Sequence, residues 1–146
     1  MIEVKRRVDV TPEQVYAVLA DGWSFAGWVV GASHIRAVDP AWPAPGSRIH
    51  HSVGPWPLSI EDVTTVVTAE PGSLLELEAR AWPVGAARVR IELRPSTDGH
   101  TEIRFLEELS KGPGRLLPSP LQGLLLKPRN DESLRRLVRI AEGQAS

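Results

Sequence analysis

Three polar side chains in this sequence fall on faces that are otherwise apolar: His51, Glu107 and Asn130. Alternation along a strand over 48–53 groups Ile49 with Val53, and His51 joins them while His50 turns away. The same alternation over 101–109 groups Ile103, Phe105 and Leu109, and it brings Glu107 with them. Asn130 stands four residues before Leu134 and seven before Leu137, on the apolar stripe of a helix. A buried polar group without a partner costs about 1–3 kcal/mol, so each needs a protein partner, a water or a ligand. Imidazole and carboxylate are the usual groups of proton transfer, which makes Glu107 and His51 the candidate catalytic residues. A carboxylate on an apolar strand face is costly to ionise unless a cation pairs with it, and Arg129 is a candidate partner. Structural roles compete with these: a satisfied core histidine at His51, and at Asn130 a bond to a backbone group freed near Pro128.

Other catalytic signatures are missing. Gly31-Ala32-Ser33-His34-Ile35 lacks the second glycine of a nucleophile elbow and runs into a strand rather than a helix. His34, His50, His51 and His100 lack zinc spacing, and adjacent strand residues such as His50 and His51 face opposite ways. Gly112-Pro113-Gly114 has no Walker pattern and its proline has no amide to offer a phosphate. No metal, nucleotide or other cofactor is expected.

The elements that would position these residues can be read from periodicity. Ile2, Val4, Val8 and Val10 share a strand face that Arg6 interrupts. Thr11-Pro12-Glu13-Gln14 then reads as a capping box with proline at the first helical position, followed by the stripe Val15, Val18 and Leu19 and a stop at Asp21-Gly22. Ser24 is placed to cap a second short helix carrying Phe25 and Trp28, which Gly31 would end. Strands are expected over 34–38, 48–53 and 58–69, with a three-proline loop over 39–46 and a break at Gly54-Pro55-Trp56-Pro57.

Parity is clearest in the later strands. Leu75, Leu77, Ala79 and Ala81 oppose Glu76, Glu78 and Arg80, while Ala87, Val89, Ile91 and Leu93 oppose Arg88, Arg90, Glu92 and Arg94. Asp98-Gly99 marks a hairpin turn. A sheet charged on one side and apolar on the other needs a cover. A Gly/Pro-rich connector over 111–120 leads to that cover, a C-terminal helix with patches at Leu121, Leu124, Leu125 and at Leu134, Leu137, Val138, Ala141. Pro128 between the patches predicts a kink or a break. The layout is α+β: one strand, two short helices, about six further strands and a long helix, in a single domain over 1–146.

Composition narrows the function classes. Lys plus Arg is 17 against 18 for Asp plus Glu, a net charge of −1, which gives no electrostatic reason to expect nucleic acid. There is no cysteine, hence no disulfide or thiolate chemistry. No apolar run reaches the roughly 18 residues of a membrane helix, so stable membrane insertion is not expected. The N-terminus alternates rather than forming a signal sequence, and the expected location is cytoplasmic. Five Trp stand against two Phe and one Tyr, and one or two of them (Trp28 first) are candidates to line a ligand site. The basic set Lys127, Arg129, Arg135, Arg136 and Arg139 reads as a solvated helix face, with docking to a partner protein or an anionic headgroup as the alternative.

The order of elements resembles the helix-grip fold of the START/Bet v 1-like superfamily, and within it the bacterial polyketide cyclase/dehydrase-like proteins. The likeness is carried by the opening strand with Thr-Pro-Glu-Gln-Val-Tyr-Ala-Val-Leu-Ala (11–20), by Pro45-Gly46-Ser47 leading through His50-His51 to Gly54-Pro55, and by Thr101–Glu108 running on to Arg129–Leu137. The resemblance implies a curved antiparallel sheet of about seven strands wrapped around the long C-terminal helix, with a cavity between them. It further implies a small hydrophobic or aromatic ligand, polyketide- or lipid-like, for which His51, Glu107, Asn130, Trp28, Phe105 and Leu124 are the expected binding residues. Two alternatives stay open: a cyclase/aromatase-type enzyme using Glu107 or His51 as acid/base, and an interaction module with a filled cavity. The aromatase branch suggested by the resemblance uses an arginine in its cavity. Parity puts Arg80, Arg88, Arg90 and Arg94 outside, leaving Arg6, Arg48 and Arg129.

Overall fold

The capping box at Thr11 forms as its residue types require. The Gln14 amide donates to Thr11 Oγ1 at 3.2 Å and the Thr11 amide donates to Gln14 Oε1 at 2.9 Å, so two otherwise orphaned amides are satisfied. The structure is a computed structural model and describes residues 1–30, 32–53, 60–81 and 85–145. In chain order it contains β1 (Ile2–Val8), α1 (Pro12–Ala20), a 3₁₀ turn (Gly22–Ser24), α2 (Phe25–Trp28), β2 (Ala32–Val38) and β3 (Arg48–Val53). There follow β4 (Ile60–Glu70), β5 (Leu74–Ala81), β6 (Gly85–Pro95), β7 (Thr101–Lys111), a 3₁₀ turn (Pro113–Leu116) and α3 (Ser119–Ala145). The expected stop at Gly31, the break at Gly54-Pro55-Trp56-Pro57, the start of the 58–69 strand, Trp82 and the side chains of Val53 and Ala81 lie outside the described residues.

The strands form one antiparallel sheet in the order β1-β7-β6-β5-β4-β3-β2, so the first strand closes against the last. This is the helix-grip arrangement, a curved seven-stranded sheet around a long C-terminal helix with short helices early in the chain. Parity sorts the sheet as its residue types dictate. Ile49, Val66, Leu75, Leu77, Val89, Ile91, Leu93, Ile103 and Phe105 are buried in one core with Leu134, Leu137 and Ala141 of α3. Burying a Leu, Ile or Phe side chain contributes roughly 1.5–3 kcal/mol, so these contacts, and not helix propensity, hold α3 to the sheet.

The outer face is laced with ions. Arg104 bonds both Glu3 oxygens and Glu92, Arg90 bonds Glu92 and Glu76, Arg88 reaches Glu76 and Glu78, and Lys111 bonds Glu78. Partly exposed pairs of this sort each contribute only about 0–1 kcal/mol, but by setting opposite charges across neighbouring strands they support the register of β1, β7, β6 and β5.

Two local expectations need correction. Ser24 precedes α2 but makes no capping bond; its hydroxyl donates instead to Asp21 Oδ2 at 2.7 Å. A cap needs extended backbone, and the 3₁₀ turn leaves Ser24 helical at φ −77°, ψ −9°. Of the kink or break expected at Pro128, the break is absent, since α3 runs without interruption through it. Proline removes the amide that would bond the Leu124 carbonyl, and Leu124 lies on the solvent side, where water can take that role.

Candidate functional site

α3 packs chiefly on β1, α1 and α2. The middle of the sheet is therefore only partly covered, and its inner residues there are small: Thr64 on β4, Ala79 on β5 and Ala87 on β6. Short side chains opposite a displaced helix leave a cavity of about 250 Å³. Phe25, Val29, Leu109, Leu125 and Leu126 supply most of the remaining apolar wall. The polar groups at its surface are His51, Thr64, Glu107, Gln122 and Arg129, with Arg80 at the edge. A smaller recess of about 40 Å³ shares Phe25, Val29, Thr64, Ala79, Glu107 and Arg129 with it, and reaches Trp28, Phe105, Asn130 and Ser133.

His51 is buried, with Nε2 2.9 Å from Thr64 Oγ1. Its Nδ1 has no hydrogen-bond partner among the described residues, and its ring lies 5.6 Å from that of Phe25. Burial holds the imidazole below its ordinary range; Asp62 opposes this, while Arg36 and His50 add to it. The ring is therefore neutral near pH 7, with one nitrogen free to receive or give a hydrogen bond. His50 turns outward as parity requires, its Nε2 3.5 Å from Asp39.

Glu107 is buried too, and its Oε2 lies 3.5 Å from Arg129 Nη1. Arg129 is 41% exposed, so it spans from solvent to the buried carboxylate. Its Nε donates to the Val30 carbonyl at 3.2 Å, and one helical turn later Ser133 Oγ accepts from the Val30 amide at 3.0 Å. Two residues of α3 at i and i+4 thus clamp the chain just after α2 at the edge of the cavity. Asn130 is buried beside them, and its Nδ2 has no partner among the described residues. The expected bond from Asn130 to a carbonyl freed by Pro128 is not made by that donor.

The sequence-based set is therefore divided. His51 and Glu107 line the main cavity, while Trp28, Phe105 and Asn130 with Glu107 line the inner recess. Leu124 lines neither; it is 73% exposed and borders a separate surface hollow with Ile2 and Lys127. Leu126 is the buried leucine of that run. Its place was legible, because stepping back four residues from Asn130 along an unbroken helix reaches Leu126. Thr64 carried no signal apart from its parity with Val66, and Ser133 none that separates it from a solvated serine. Of the arginines left open, Arg129 reaches the cavity, Arg6 pairs with Asp131 and Arg48 turns to Asp39. Arg80, expected outside, is exposed but also borders the cavity, its Nε 3.8 Å from Asp62, because it sits near the end of β5. Among the described residues no cluster of three His, Asp or Glu is placed to hold a metal ion, and no helix is long and apolar enough to cross a membrane.

A family model described as polyketide cyclase / dehydrase and lipid transport matches residues 1–142. The chain belongs to that family. This agrees with the resemblance carried by its opening strand, capping box and C-terminal segment. Solved structures with the same fold include protein NE0264 from Nitrosomonas europaea, 18% identical over 97% of this chain and 94% of that one, with a TM-score of 0.73. Ara h 8.0201 matches over 97% of this chain and 96% of its own at 13% identity, with a TM-score of 0.69. DynU16, from the dynemicin biosynthetic locus, is 21% identical with a TM-score of 0.66, and the match covers 97% of this chain but 46% of that one. None of the curated proteins compared with the chain is detectably similar to it in sequence. At these identities the likeness of the structures is one of fold, and function has to be argued from the cavity of this family member itself.

Proposed function

We propose that this family member binds a small hydrophobic or aromatic molecule in the cavity between the sheet and α3. The observation that carries the reading is a cavity of about 250 Å³ whose wall is mostly aliphatic and aromatic, with a few buried polar groups. Ligand sites have this composition: apolar area supplies affinity and a few fixed polar groups supply orientation. A dry apolar cavity of about 150 Å³ takes up benzene, so one of this size suits a molecule of roughly two fused rings. His51, Glu107 and, from the adjoining recess, Asn130 would orient its carbonyl or hydroxyl groups, with Phe25 against the ring system and Trp28 and Phe105 behind it in the recess. The presence of the cavity disfavours an interaction module with a filled interior. Titration of Trp fluorescence and calorimetry with 2-naphthol and naphthalene test the proposal. Saturable binding at one site is expected, and no binding of either compound would overturn it.

One observation favours a second reading, an acid/base enzyme of the cyclase/dehydratase kind. His51 is held neutral in the cavity with Nδ1 unpartnered, the state a general base needs. It would take a proton from a carbon next to a carbonyl and pass it to a departing β-hydroxyl, which leaves as water. Glu107 is the alternative base. Turnover of a β-hydroxy ketone that survives both His51→Gln and Glu107→Gln would rule this reading out.

A further inference from the structure

The first half of α3 and the turn before it present leucines to solvent. Leu116 is 86% exposed, Leu124 73%, Leu125 58% and Leu121 40%. Leu121, Leu124 and Leu125 stand at i, i+3 and i+4 and so share one helical face. The bond from Gln122 Nε2 to the Leu117 carbonyl at 2.7 Å ties the Leu116 turn to the start of that helix. Single exposed leucines need no explanation, but a contiguous group marks a contact surface.

The charges around this patch identify the contact. Residues 109–130 contain Lys111, Arg115, Lys127 and Arg129 and no Asp or Glu. Lys111 is engaged by Glu78 and Arg129 by Glu107. Arg115 and Lys127 are exposed and form no ion pair among the described residues, and Lys127 borders a surface hollow together with Leu124. A second copy docked here about a two-fold axis would set this cationic patch against itself. An anionic bilayer meets both features at once, since leucines enter the acyl boundary while Arg and Lys reach the headgroups.

From this we infer that the Leu116–Lys127 segment is a reversible docking surface for anionic membranes. The claim goes beyond ligand binding and stands without it. Leu117, Gln122 and Leu125 also line the cavity, so the docked face is the one next to the cavity mouth. An apolar molecule could then pass between bilayer and cavity without crossing bulk water. The contact is peripheral, because leucines on one turn-and-helix face reach only the interfacial region.

The test is co-sedimentation of the whole chain with phosphatidylcholine vesicles, with and without phosphatidylglycerol. Binding to the phosphatidylglycerol vesicles is expected, weakening as salt is raised. Arg115→Gln with Lys127→Gln should bind on the order of 25-fold more weakly, roughly fivefold for each cation lost. Leu116→Ser with Leu124→Ser should weaken binding by about tenfold or more. These side chains are exposed, so both variants should keep the parent melting temperature. No binding to phosphatidylglycerol vesicles at low salt would overturn the inference, as would equal binding by the parent and both variants. A parent dimer in sedimentation that Leu124→Glu converts to monomer would assign the patch to self-association instead.

Discussion

Arg129 on α3 and Glu107 on β7 meet at 3.5 Å, a half-exposed cation against a buried carboxylate, and their contact joins the helix to the sheet beside the cavity. The same guanidinium holds the Val30 carbonyl. One side chain thus links three parts of the cavity rim.

Removing that cation should be costly. Arg129→Met leaves the Glu107 carboxylate buried without its partner, and a loss of about 1–3 kcal/mol is expected in urea unfolding. Glu107→Gln keeps the shape without the charge and should rescue part of the Arg129→Met loss when combined with it. Strict additivity in this double-mutant cycle would show that the pair is not energetically coupled.

His51 gives a pH dependence whose sign can be worked out. Burial favours the neutral ring, so below about pH 6.5 the unfolded chain takes up a proton that the folded chain resists. The unfolded state then binds more protons, and stability falls as the pH drops from 7 towards 5. His51→Gln should flatten that part of the profile of melting temperature against pH. An unchanged profile would show that the group at 51 titrates alike in both states.

Asn130→Leu separates a structural from a ligand-facing role. Its Nδ2 is buried and unpartnered among the described residues, and replacing such a donor by an apolar group of similar size should be neutral or stabilising. The same variant should bind 2-naphthol less tightly, while its affinity for naphthalene is kept. A stability loss above about 2 kcal/mol would mean that the side chain is holding the protein together instead.

Ala87 lies on the cavity wall, so Ala87→Leu should fill empty space. Stability should hold or rise by about 0.5–2 kcal/mol, as cavity-filling changes commonly do, while affinity for two-ring probes falls. Undiminished binding in a stable Ala87→Leu protein would place the ligand elsewhere.

Gly85 is a backbone necessity rather than a site residue. Its φ is +121°, and a Cβ there would lie 1.9 Å from the Lys111 carbonyl oxygen where β6 meets the end of β7. Gly85→Ala should therefore cost well over the about 0.5 kcal/mol that bounds most surface changes, with β7 displaced near Lys111. Thermal melting is the check.

The sequence by itself determined which face each later strand turns inward, because a period of two leaves no choice once Ile91, Ile103 and Phe105 must be buried. That parity carried His51 and Glu107 inside, just as the 3.6-residue period carried Asn130 to the sheet side of α3. It also determined the start of α1, since Thr11, Pro12 and Gln14 satisfy that helix end locally. The sequence offered Arg129 as a partner for Glu107, and tertiary structure brings the two together; it alone decided that Thr64 meets His51 and that Ser133 holds Val30, because each joins residues brought together only by closing the sheet around the helix. It also decided which of the consecutive leucines is buried. A break at Pro128, one of the two outcomes its proline allows, would detach the helix's first half from its second, whereas the continuous helix turns Leu126 inward and Leu124 to solvent. The cavity itself was beyond the reach of periodicity, which says which way a side chain points but not how far the opposing element stands from it.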